Sequence, residues 1–86
     1  MVMQVRMTEE VLGNGLRTGH AHWLVRYQGW DEVYQLRLEK VALNSDSYRL
    51  IFSTATGQAW DVAIGRNATE LMDVLRFYFP KDLVVC

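Results

Sequence analysis

Residues 48–80, YRLIFSTATGQAWDVAIGRNATELMDVLRFYFP, decide the fold. Their first half alternates apolar and polar positions. Tyr48, Leu50 and Phe52 alternate with Arg49, Ile51 and Ser53; beyond Thr56-Gly57, Trp60, Val62 and Ile64 alternate with Ala59, Asp61 and Ala63. A period of two is that of half-buried strands, and a connection this short joins antiparallel neighbours. After Gly65 the period changes. Asn67 is a good N-cap, with Glu70 three positions on as in a capping box. Leu71, Val74, Leu75 and Tyr78 then share one helical face until Pro80 stops the ladder. The stretch reads as a hairpin followed by a capped helix.

The alternation continues toward the N-terminus in Met3, Val5 and Met7, in Ala21, Trp23, Val25 and Tyr27, and in Tyr34, Leu36 and Leu38. Turn-forming residues separate these runs: Gly13-Asn14-Gly15, Thr18-Gly19, Gly29-Trp30-Asp31 and Asn44-Ser45-Asp46-Ser47. The pattern predicts strands over about 2–12, 20–28, 32–43, 48–54 and 58–64, and a helix over about 68–79. The expected architecture is α+β: a curled, five-stranded antiparallel meander packed by one C-terminal helix, in a single domain over residues 1–86. Leu83-Val84-Val85 is expected as a short edge strand or a packed tail.

The closing segment from Tyr48 to Phe79, strand, turn, strand and capped helix, resembles that of pleckstrin-homology-like domains, a fold that normally has seven strands. The segment His22–Tyr34, HWLVRYQGWDEVY, is similar to a strand-turn segment of chromo-barrel domains, with Val33 and Tyr34 where a tryptophan usually follows the acidic pair. Neither likeness extends to a motif, and no family is assigned on them.

Composition narrows the function classes. Hydrophobic residues make up 50% and aromatics 12% of the 86 residues, enough for a core without disulfides or a structural metal. Nine Lys and Arg face ten Asp and Glu, spread evenly along the chain. That balance carries no electrostatic footprint for non-specific DNA or for an anionic membrane surface. No apolar run approaches the roughly 20 residues of a membrane span, and the first residues lack the core of a signal peptide, so a cytoplasmic location is expected. The lone Cys86 cannot form an internal disulfide.

No catalytic set is legible. His20 and His22 stand at i and i+2 on a strand and could reach one metal, but no third ligand adjoins them, so they read as surface residues beside a turn. Residues 13–19 carry three glycines without the Gly-Lys-Ser/Thr ending of a phosphate loop, and read as a hairpin connection. Ser45, Ser47 and Ser53 have no nucleophile context, and the pairs Glu9-Glu10 and Asp31-Glu32 read as solvated turn residues. Asn67-Ala68-Thr69 matches a glycosylation acceptor, but the cap explains Asn67. The expectation is a protein that is not an enzyme, with no catalytic residue, no metal site and no cofactor.

The informative signal is what remains once a core is filled. With Trp23, Val25, Leu36, Leu50, Phe52 and Trp60 turned toward the helix, the opposite face carries Leu24, Arg26, Arg37, Arg49 and Ile51. Arginine amid apolar residues suits an interface, yet Arg37 and Arg49 could also pair with Glu39 and Asp61 as a solvated face. Phe77, Tyr78 and Phe79 are consecutive, so one helical face cannot bury all three, unless the C-terminal tail folds back over them. The expected activity is therefore protein binding, as an adaptor, regulator or small inhibitor, through Arg26, Trp30, Arg37, Arg49, Phe77 and Phe79. A second copy of the chain is one candidate partner. The alternative is a nucleic-acid-binding regulator with Arg26, Arg37 and Arg49 on phosphates and Trp30 stacking on bases, which the charge balance disfavours.

Overall fold

The computed structural model describes residues 5–81 and 83–86. In chain order the elements are β1 (Val5–Arg6), α1 (Glu9–Thr18), β2 (Ala21–Tyr27), β3 (Tyr34–Lys40), β4 (Tyr48–Ser53), β5 (Ala59–Gly65), α2 (Ala68–Tyr78) and β6 (Leu83–Val85). The strands form one antiparallel sheet of order β1-β6-β2-β3-β4-β5. The α+β class and the β2-to-β5 meander agree with expectation. The count does not: among the described residues there are six strands and two helices rather than five and one.

The first correction lies in residues 2–12, expected as a strand. Of its described residues only Val5–Arg6 form a strand, residues 2–4 lie outside the described residues, and residues 9–18 form α1. The helix is capped at both ends. The Thr8 hydroxyl accepts from the Val11 N–H at 3.3 Å, Glu9 and Glu10 occupy the positive first turn, and Arg17 the negative last turn. Gly19 closes it in the left-handed region (φ 84°), its N–H donating to the Leu16 carbonyl at 3.2 Å. Gly13, Asn14 and Gly15 therefore lie inside a helix, not in a hairpin connection. A Cβ on Gly15 would come within 3.0 to 3.1 Å of the Trp23, Ala21 and Leu38 side chains, which is how closely α1 lies on the sheet.

The second correction concerns the C-terminus. β6 is an interior strand between β1 and β2, with Val85 opposite both Val5 and Val25, and Val84 opposite both Arg6 and Arg26. A three-residue strand carries too little pattern to reveal two pairing partners. The expected helix over 68–79 is observed as Ala68–Tyr78. Asn67 Oδ1 accepts from Glu70 N–H at 2.9 Å, while the Glu70 carboxylate accepts from the Arg66 N–H at 2.7 Å.

Both helices pack on the sheet face that carries Val25, Leu36, Leu38, Leu50 and Phe52, and bury them beneath Leu12, Leu71, Met72 and Leu75. A β-bulge in β5 changes which residues join this core. Leu50 pairs with Ala63 but Ile51 pairs with Asp61, so Val62 is inserted without a partner. Val62 and Ala63 are both buried, and Ile64, expected inward, lies opposite Arg49 on the other face.

Candidate partner-binding surface

The six residues singled out for partner binding fall in three places. Arg26, Arg37 and Arg49 lie on the sheet face without helices, because each alternates with an inward neighbour: Val25, Leu36 or Leu38, and Leu50. Trp30 and Phe79 belong to a ring cluster at one end of the other face. Phe77 stands on the outer surface of α2, 81% exposed beside Tyr78. The six do not form one continuous surface, because the helices lie between Phe77 and the arginines.

The ring cluster is built by packing. Trp30 meets Tyr27, Tyr34, Phe52 and Phe79 edge-on, with centroid separations of 4.9 to 6.1 Å, and remains 38% exposed. Phe79 stacks on Phe52 at 5.3 Å, and the Lys81 N–H donates to the Tyr27 hydroxyl at 3.1 Å, turning the chain into β6. The tail thus folds back and Phe79 packs against the core, while Phe77 and Tyr78 stay outside. Loss of solvation, and then the neighbouring Glu32 carboxylate, hold the Tyr34 phenol above its ordinary pKa.

On the open face, residues of successive strands align in rows. His22 pairs with Arg37, Arg37 with Ile51 and Ile51 with Asp61; Leu24 pairs with Gln35 and Gln35 with Ser53; Glu39 pairs with Arg49 and Arg49 with Ile64. Ile51 is buried by its neighbours, whereas Leu24 (53%) and Ile64 (58%) are exposed. Arg49 donates to Glu39 Oε1 through Nε at 3.1 Å and Nη2 at 2.8 Å, and its Nη1 lies 4.0 Å from Asp61 Oδ2. That half is the solvated, cross-strand-paired face that the sequence left open as one reading. Arg26 and Arg37 are exposed, and no carboxylate of the described residues lies within ion-pair distance of either. Beside Leu24, a depression of about 290 Å³ is lined by Leu24, Val33, Tyr34, Gln35, Ser53, Thr54 and Ala55.

His22 lies on this face, with His20 just before the strand, and among the described residues no group of three or more His, Cys, Asp and Glu side chains is placed to hold a metal ion. No helix of the described residues is long and apolar enough to cross a membrane. No family model, curated protein or solved structure matches the chain.

The feature that sequence reasoning missed is the division of the open face. Glu39 and Asp61 read as partners for Arg37 and Arg49 alike, but strand register delivers both to Arg49. The spacing of residues on separate strands carries no signal of that register.

Proposed function

We propose that this chain is a non-enzymatic protein-binding module, an adaptor, regulator or small inhibitor, that docks the open face of its sheet on a larger protein. One observation carries the reading. Both helices cover one face, and the opposite face combines exposed Leu24 and Ile64 with Arg26 and Arg37, which have no carboxylate partner among the described residues. Arginine beside apolar surface is the composition enriched at protein interfaces, and a rigid sheet presents it without a backbone ordering cost.

The test compares capture from native lysate by the unaltered chain, by Leu24→Asp/Arg37→Glu on the open face, and by Phe77→Ala on α2. Each variant is first shown to melt within a few degrees of the parent. A protein captured by the parent and by Phe77→Ala, but lost with the open-face variant, supports the reading. Retention by the open-face variant and loss with Phe77→Ala moves the site to the helix end. Capture that vanishes on nuclease treatment replaces the reading with nucleic-acid binding.

A further inference from the structure

The open face is divided in charge. Among the described residues, Glu39 and Asp61 both lie at Arg49, toward β4 and β5. The part on β2 and β3 keeps Arg26 and Arg37 with apolar Leu24 and, just before β3, Val33, and its edge is hollowed by the depression beside Leu24. In a chain of net charge −1, Arg26 and Arg37 stand here with no carboxylate of the described residues within ion-pair distance.

Register fixes their spacing. Arg37 lies opposite His22, and Leu24 opposite Gln35, so the Arg37 row, the Leu24 row and Arg26 follow one another at two-residue steps along β2. With strands about 4.8 Å apart and a rise of about 3.3 Å per residue, the two arginines stand about 14 Å apart with Leu24 near the midpoint.

An extended segment places side chains i, i+2 and i+4 on one side, and its i and i+4 positions are about 13 Å apart. We infer that the open face receives an extended segment of a partner protein with the pattern acidic-x-apolar-x-acidic. The two carboxylates meet Arg26 and Arg37, and the apolar side chain between them lies on Leu24 and enters the depression lined by Val33 and Gln35. The inference rests on the binding-module reading and adds the chemistry of the partner.

The probe is a blocked Gly-Glu-Thr-Leu-Thr-Glu-Gly peptide titrated to about 5 mM, a range in which contacts this small are measurable. The ¹⁵N-labelled chain is observed by NMR. Saturable shifts at the amides of Leu24, Arg26 and Arg37 are expected, lost when both glutamates become glutamine and reduced at least about tenfold in affinity by Arg26→Ala/Arg37→Ala. Arg26→Lys/Arg37→Lys, which keeps the charges, retains binding and guards against a variant that merely misfolds. Absence of shifts, equal binding of the glutamine peptide, or shifts centred on Phe77 overturn the inference. Tighter binding of an oligothymidine than of the peptide overturns it too. If the peptide is inert while the lysate partner is still lost with Leu24→Asp/Arg37→Glu, the acidic pattern fails and the binding-module reading stands.

Discussion

Arg49 holds Glu39 through two nitrogens, at 3.1 and 2.8 Å from one carboxylate oxygen, across the β3–β4 pair. This contact, together with Asp61 at 4.0 Å, places two carboxylates of the open face at one arginine. Both side chains of the closer pair are 35% exposed, so solvent screens the interaction. The double-mutant cycle Glu39→Gln with Arg49→Gln should return a coupling of about 0.5–1 kcal/mol, smaller in high salt. A coupling of several kcal/mol at high salt would show a buried pair instead.

The two helical glycines predict opposite outcomes. Nothing lies within 4 Å of a Cβ placed on Gly13, so Gly13→Ala should stabilise by about 0.5–1 kcal/mol, some 2–8 °C in Tm for a domain of this size. At Gly15 the same methyl already meets three side chains at 3.0 to 3.1 Å, and Gly15→Val should destabilise by about 1–3 kcal/mol. Thermal melts of both variants check the contrast.

α1 is also where sequence reading failed most. Thr8, followed by Glu9 and Glu10, is a helix start, and Gly19 after Arg17 a helix stop, so the end signals were present. Leu12 and Leu16 stand four apart, but Gly15 occupies the buried position between them, and with Gly13 and Asn14 it reads as a turn. Tertiary packing explains the glycine: a side chain there would hold α1 off the sheet. By contrast, β2 to β5 and α2 were legible because each carries at least three apolar residues in register with its own period. Ile64 reversed its face because a bulge is invisible in a sequence that alternates through it. The open-face arginines were legible singly, from alternation, but which of them finds a carboxylate is a matter of register.

The aromatic residues at the end of α2 and its C-cap separate by packing. Phe79→Ala removes a ring stacked on Phe52 and edge-on to Tyr27, and should cost about 2–4 kcal/mol, below a fully buried phenylalanine because Phe79 is only half-buried. Phe77→Ala should change stability by less than about 0.5 kcal/mol. Denaturant unfolding of the two variants measures both.

Tyr34 gives a pH signature. Its folded pKa is raised, so the folded chain holds the phenolic proton more tightly than the unfolded chain does. The associated stability is present below the ordinary tyrosine value near pH 10 and is lost as the pH rises through the folded value. Phenolate absorbance should show one tyrosine titrating late, missing in Tyr34→Phe. Glu32→Gln should lower that pKa only partly, because loss of solvation is the larger cause. Disappearance of the whole shift on that substitution would make the carboxylate the dominant cause.

The central claim, that the open sheet face is the docking surface, is tested most directly by arginine footprinting. The tagged chain is treated with phenylglyoxal in native lysate and after purification, and each arginine is quantified by mass spectrometry. Arg17 on α1 and Arg66 in the connection between β5 and α2, both exposed, serve as internal references. Arg26 and Arg37 should be protected in lysate relative to the purified chain, while Arg17 and Arg66 react equally in both. Equal reactivity of Arg26 and Arg37 in the two samples, or protection confined to Arg17 and Arg66, would contradict it.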